Sequence, residues 1–298
     1  GHTSFRPGQR EDLETLFDDG RLLLVAPTGG GKSLTYQLPA ILLPGTTLVV
    51  SPLISLMQDQ VSALEAQGVA ATFLASTLEP SEINRRMKAL TNGEYRIAYV
   101  APERLSSPAF RNVIAKLECP LVAIDEAHCI SEWGHDFRPD YMQIGALLSQ
   151  LPDARVLACT ATATPIVRDE ILERLGLPAD TKQIIRGFAR PNLALRVRDV
   201  SGKKDRNGWV DDSLAEAIGQ PGSGRGSVII YAPTRKSTED EGMRIQDLGF
   251  RVAPYHAGLD GETRTETHQA FSDGTLEVVV ATNAFGMGID RADVRAVI

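Results

Sequence analysis

The chain has 298 residues, 43% of them hydrophobic, and a formal net charge of -7. That length holds two domains of ~100 to 200 residues with a packed core in each. The acidic balance excludes the global basic field that announces a nucleic-acid partner, so any such contact has to come from local patches and stacking.

Taken in chain order, residues 22–25 read as a short apolar strand that runs into Ala26-Pro27-Thr28-Gly29-Gly30-Gly31-Lys32-Ser33. This is a phosphate-binding loop. Successive glycines let backbone N–H groups close around phosphate oxygens, and the positive end of the following helix points at them. Lys32 is placed to reach the β- and γ-phosphates and the Ser33 hydroxyl to ligate Mg2+. Ala26 stands where the strict pattern has glycine.

Beyond the loop, apolar runs at 47–50, 72–74, 96–100, 121–124 and 155–159 read as strands buried on both faces. Residues 34–43, 53–64, 81–90, 109–117 and 166–175 read as the helices between them. The pattern predicts an α/β fold with a doubly wound parallel sheet, whose ligand sites gather at the carboxyl ends of the strands. Asp125 and Glu126 follow the strand 121–124 directly. Opposite the phosphate loop, Asp125 is placed to hold Mg2+, and Glu126 to act as general base on the attacking water.

From about residue 187 to 226 the pattern loosens into Gly, Lys, Asp and Arg, and Arg190-Pro191-Asn192 reads as the start of a linker. A second alternating series follows, with strands at 228–231, 252–255 and 278–281, helices near 237–248 and 262–271, and a last apolar run at 294–298. The expected division is a first lobe over 1–190, a linker and start of the second lobe over 191–226, and a partial second lobe over 227–298.

Cys119, Cys129 and Cys159 are odd in number and widely spaced, with no C-x-x-C pair, a pattern that predicts buried thiols and neither a disulfide framework nor a zinc site. No apolar run reaches the ~18 residues of a membrane span, and no signal peptide opens the chain.

Taken together, these residues resemble the RecQ-type DNA helicases of helicase superfamily 2, and the resemblance covers essentially the whole chain. Phe5-Arg6-Pro7-Gly8-Gln9 is similar to that family's adenine-recognition motif, 28–33 to its motif I, and Asp125-Glu126-Ala127-His128 to the DEAH box. The segment 129–141, with Trp133 and Phe137, resembles its aromatic-rich loop. Segments 51–60, 161–164, 229–236 and 281–290 resemble motifs Ia, III, IV and V.

The resemblance implies two tandem RecA-like P-loop lobes with parallel sheets, the second incomplete at its C-terminus. It implies an ATP- and Mg2+-dependent DNA helicase moving 3′ to 5′ along single-stranded DNA and acting on partly duplex DNA in repair or recombination, in the bacterial cytoplasm or a nucleus. Gln9 would read the adenine edge, with Arg6 packing near the base and His2 stacking on the ring; a Gln amide both donates to and accepts from adenine. His128 would couple nucleotide state to the second lobe, and Asp290 would face the nucleotide from there. Trp133 and Phe137 would stack on bases, an interaction indifferent to sequence, with His135 and Arg138 beside them. Ser51, Arg104, Thr160, Arg235 and Thr282 are candidate DNA contacts at strand ends and loops.

Motif VI of that family, which carries an arginine finger, has no counterpart in these residues, nor do its zinc-binding and winged-helix regions. The sequence therefore reads as a truncated core. The alternative reading is an ATP-gated DNA-binding module without unwinding activity.

Overall fold

A computed structural model describes residues 4–133, 136–187, 192–283, 285 and 291–298. The chain divides into two compact units, Gly1–Ala194 and Leu195–Ile298. The first is built on seven strands, β1 (Arg21–Val25), β2 (Thr47–Val50), β3 (Ala71–Leu74), β4 (Ile97–Val100), β5 (Leu121–Ile124), β6 (Arg155–Thr160) and β7 (Lys182–Ile185). They lie in the order β3-β4-β2-β5-β6-β1-β7, every pairing parallel.

Uninterrupted apolar strands follow from helices covering both faces of this sheet. Successive side chains of β1 point oppositely, so Leu22 and Leu24 enter one core and Leu23 and Val25 the other. The first core is closed by Leu16 of α1 (Gln9–Asp19), Tyr36 and Ala40 of α2 (Leu34–Leu42), and Met57, Val61 and Leu64 of α3 (Ile54–Glu65). Across the sheet lie α4 (Pro80–Thr91), α5 (Pro108–Ile114), α6 (Ile144–Ser149) and α7 (Pro165–Leu175), which contribute Met87, Phe110, Ile144 and Ile171 among others. Each fully buried Leu or Ile contributes about 1.5–3 kcal/mol.

The six strands and five helices expected here form with ends shifted by at most a few residues. Among the described residues, one strand and two α-helices lie outside that reading: β7, α1 and α6. α1 is mostly polar, with Leu13 and Leu16 its buried apolar residues, and glycines with φ of 85° and 70° flank it at Gly8 and Gly20.

The second unit has a parallel sheet of β8 (Ser227–Tyr231), β9 (Val252–Tyr255), β10 (Val278–Ala281) and β11 (Val294–Val297), ordered β11-β8-β10-β9. Its helices are α8 (Lys203–Ile218), α9 (Arg235–Asp247) and α10 (Gly261–Ser272). The segment 191–226, expected to hold the linker and the start of the lobe, thus carries a 16-residue helix. Polar residues fill its first turns, but Val210, Leu214 and Ile218 recur every four residues and pack on Val228, Ile230, Val278 and Val280. Among the described residues, no helix is long and apolar enough to cross a membrane.

Candidate active site

The loop after β1 turns on glycines that no other residue replaces cheaply. Gly29 and Gly31 have φ of 76° and 81°, and a Cβ on Gly30 would lie 2.9 Å from the Pro27 carbonyl oxygen. The Lys32 ammonium folds back over the loop and donates to the carbonyls of Ala26 at 2.9 Å and Pro27 at 3.4 Å. Thr28 is exposed. Ser33 stands at the amino end of α2, beside the buried phenol of Tyr36.

Arg6 and Gln9 are fastened to the same loop. The Arg6 guanidinium donates to the Gly29 carbonyl, the Gln9 side-chain amide donates to that of Gly31 at 3.0 Å, and the Gln9 carbonyl oxygen accepts from the Arg6 backbone N–H at 2.8 Å. Both polar ends of Gln9 are engaged by protein, so in this structure it braces the loop. Arg186, which no sequence motif singles out, secures the segment from behind: it grips Asp12 with two bonds of 2.6 and 2.7 Å and donates to the Gly8 carbonyl at 2.8 Å. No local pattern marks it, because its partners lie some 175 positions away in the chain.

Asp125 extends the ladder of β5, its N–H donating to the Val50 carbonyl at 2.8 Å. Its carboxylate Oδ1 accepts from the Glu126 N–H at 3.0 Å and from the Cys159 thiol at 3.5 Å. Burial pushes the Asp125 carboxyl up to about 6, and the neighbouring Glu126 charge adds to the rise; the Glu126 N–H, the Lys32 charge and the Cys159 thiol pull the other way. Phosphate loop and acid pair therefore share one electrostatic neighbourhood.

Glu126 has φ 47°, the one positive φ of a non-glycine residue among the described residues. A left-handed conformation there costs on the order of 1–2 kcal/mol. Hydrogen bonds on either side of it hold the backbone in place: the Cys129 N–H donates to the Glu126 carbonyl at 2.9 Å, and the buried Tyr141 hydroxyl donates to the Asp125 carbonyl at 2.8 Å. His128 Nδ1 lies 2.8 Å from Thr160 Oγ1 and 3.3 Å from Glu126 Oε2.

Behind the acid pair, a tight turn over Ala127–Ile130 is buried and the loop then emerges. Trp133 is 78% exposed and Phe137 37%, which fits stacking surfaces better than core. Arg138 folds the loop back: it holds Asp136 Oδ2 at 2.9 and 3.1 Å, donates to the Pro52 carbonyl at 3.2 Å, and its backbone N–H meets the Cys129 carbonyl at 2.9 Å. The aromatic loop is thereby tied to the end of β2 and, through Tyr141, to Asp125.

The softer DNA candidates divide. Ser51 is buried at the end of β2 with no hydrogen-bond partner for its hydroxyl among the described residues. Arg104 is half-buried on the turn Pro102–Ser106. Thr160 corrects the expectation: it has no exposed surface, and its hydroxyl is engaged by His128 and the Thr162 backbone, so it supports His128 from within β6 and offers nothing to a strand of DNA in this conformation. In the second unit, Arg235 is exposed as the first residue of α9 and Thr282 follows β10, half-buried. His2, His135 and Asp290 lie outside the described residues, as does the rest of the 286–290 stretch.

A parallel α/β sheet with a phosphate loop after one strand and an Asp-Glu pair after another, joined to a second parallel-sheet lobe, defines a two-lobe RecA-like protein of the P-loop type. The chain belongs to the DEAD/DEAH box helicase family, whose model matches residues 6–170, and a helicase conserved C-terminal domain matches 211–298. The resemblance read from its motifs is borne out by relatives. It is 42% identical over 301 residues to the ATP-dependent DNA helicase RecQ of Bacillus subtilis, covering 100% of this chain and 49% of that protein. It is 41% identical to the ATP-dependent DNA helicase Q-like 2 of Arabidopsis thaliana, covering 100% of this chain and 43% of that one. The chain thus spans about half the length of the curated relatives it matches. Among solved structures, Saccharomyces cerevisiae Dbp5 bound to RNA and ADP BeF3 aligns with a TM-score of 0.69 at 16% identity, over 98% of this chain and 73% of that one, which speaks for the fold. Mycobacterium smegmatis helicase Lhr, bound to ssDNA and AMP-PNP, aligns at 0.66 and 19% identity, over 99% and 42%.

Proposed function

We propose that this chain is the ATP-hydrolysing motor core of a RecQ-like DNA helicase, which couples hydrolysis to 3′ to 5′ translocation on single-stranded DNA and to unwinding of partly duplex DNA in repair or recombination. The observation that carries this reading is the join between the two halves of the first-lobe site. Lys32 acts electrostatically on a buried Asp125, and the same Asp125 is hydrogen-bonded to Tyr141 at the base of a loop that exposes Trp133.

Mg2+ fits by donor chemistry. The Ser33 hydroxyl and the Asp125 carboxylate are hard oxygen donors, and Asp125 is an acid whose pKa burial raises, so a cation beside it would favour its ionised form. When bound, the ion neutralises charge on the β- and γ-phosphates. The loop's backbone N–H groups cradle the phosphates, and Lys32 exchanges its Ala26 and Pro27 carbonyls for phosphate oxygens. Glu126 accepts the proton of the water that attacks the γ-phosphorus, as the bond to the β-bridging oxygen breaks and ADP leaves.

Hydrolysis measured with single-stranded DNA, with single-stranded RNA and with neither tests the reading. Stimulation by DNA well above that by RNA is expected. Equal stimulation by RNA would point to an RNA-directed motor, and tight ATP-dependent DNA binding without turnover to a clamp that does not unwind.

Two substitutions refine it. Trp133→Ala removes a base-stacking surface worth ~1–3 kcal/mol. The DNA concentration for half-maximal ATPase should therefore rise roughly 5- to 150-fold while nucleotide affinity holds; unchanged DNA dependence would return Trp133 to a structural role. Tyr141→Phe removes a buried hydrogen bond with a net contribution of about 1 kcal/mol and releases the peptide that positions Glu126. Turnover should fall more than nucleotide affinity, and a loss of thermal stability with kcat unchanged would argue for packing only.

A further inference from the structure

The spacing of cysteines along the chain gives no sign of a metal site, but the fold brings donor atoms of three residue types together. His128 Nε2 lies 3.8 Å from Cys129 Sγ, Cys129 Sγ lies 3.7 Å from Asp136 Oδ2, and the three donors fall within 4.8 Å of one another. Around a tetrahedral ion with bonds of ~2.0–2.3 Å, neighbouring nitrogen, sulfur and oxygen donors stand about 3.5 Å apart. The group is therefore within a few tenths of an ångström of that geometry along two of its edges. It exists because the Arg138 N–H pairs with the Cys129 carbonyl at 2.9 Å and returns the loop to the turn it left.

We propose that His128, Cys129 and Asp136 form a binding site for a thiophilic divalent cation of the zinc class, lying at the junction of the acid pair and the aromatic loop. A second observation supports it: the remote ring nitrogen, Nδ1, is held by Thr160 Oγ1 at 2.8 Å with Glu126 Oε2 at 3.3 Å. This is the outer-shell support, hydroxyl or carboxylate behind histidine, that fixes the ring of metal-bound histidines and directs Nε2 at the ion. On binding, the Cys129 S–H bond breaks, its proton passes to solvent, and a sulfur–metal bond forms. Thiolate and Asp136 carboxylate then balance the dication, and Arg138, which holds the same Oδ2, moves its contact to the other carboxylate oxygen. Three protein donors leave a fourth position for water.

Binding of the ion is independent of the helicase reading; its consequence rests on it. The ion joins a residue in contact with Glu126 to the loop that carries Trp133 and Phe137. It would hold the loop against the acid pair and suppress the DNA-stimulated part of hydrolysis.

Cobalt titration of the reduced 298-residue chain tests the site directly. A thiolate-to-cobalt charge-transfer band and tetrahedral visible bands are expected, both displaced by zinc. Cys129→Ala should abolish them, Cys119→Ser should leave them intact, and Asp136→Asn, which keeps a side-chain oxygen for Arg138, should weaken apparent affinity roughly tenfold or more. No charge-transfer band, or one that survives Cys129→Ala or depends on Cys119, overturns the proposal and leaves adventitious metal binding only. In a separate arm, zinc should lower DNA-stimulated hydrolysis in the unsubstituted chain far more than in Asp136→Asn, reversibly with a zinc-selective chelator. A chain that shows the cobalt bands but no hydrolysis under any condition would refute the motor reading while upholding the site, and zinc-insensitive hydrolysis would refute the brake.

Discussion

Glu126→Gln is expected to bind ATP with an affinity within a few-fold of the unsubstituted chain and to lose turnover by roughly 10²–10⁴-fold, the contribution of a positioned general base. The amide matches the carboxylate in size and, like it, is an L residue at φ 47°, so the backbone strain is unchanged and a loss of turnover reports on chemistry. What disappears is the proton acceptor, together with the negative charge that faces His128 and raises the Asp125 pKa. Removing that charge eases ionisation of Asp125, so metal and nucleotide binding should be preserved. Single-turnover hydrolysis beside nucleotide-binding titrations separates the two effects. Hydrolysis within about tenfold of the unsubstituted chain would place the base elsewhere.

Much of the architecture was legible because this sheet is covered on both faces. Strands such as Leu121–Ile124 then become uninterrupted apolar runs, and the phosphate loop and acid pair come directly after their strands in sequence. The parts that could not be read depend on distance along the chain or on polar helices. α1 and α8 show few apolar residues because each meets the sheet through a narrow stripe, Leu13 and Leu16 in one, Val210, Leu214 and Ile218 in the other. Thr160 looked like a phosphate contact as a hydroxyl at a strand end, but β6 lies between β1 and β5 in the sheet, and its end is enclosed by the site on either side. Tyr141 carried a signal that could have been used. A tyrosine in a polar loop that proves fully buried needs a partner for its hydroxyl, and the Asp125 carbonyl is that partner. The His128–Cys129–Asp136 cluster could not be found by motif, since its spacing is set by a folded-back loop.

Asp125→Asn is expected to make the Mg2+-free chain more stable at neutral pH while abolishing turnover. Burial raises the carboxyl to about 6 from an ordinary 3.8, so the folded chain holds this proton more tightly than the unfolded one. The stabilisation linked to that proton is therefore fully present below pH ~4 and is lost as pH rises through about 6. Above that, the ionised acid in its buried setting costs on the order of 3 kcal/mol. An asparagine keeps a carbonyl oxygen for the Glu126 N–H and carries no charge, so the gain over the unsubstituted chain should approach that figure at about pH 8 and shrink towards zero near pH ~4. Mg2+ with ATP should reverse the ranking at the alkaline end by binding the chain that retains its carboxylate, and the apparent affinity of that chain for Mg2+ should weaken as pH falls through about 6. Denaturant midpoints at about pH 5 and about pH 8, with and without Mg2+-ATP, measure all of these. A variant no more stable than the unsubstituted chain at the higher pH without ligand would mean that Lys32 and the surrounding donors already compensate the buried charge, and that this site is not short of a cation.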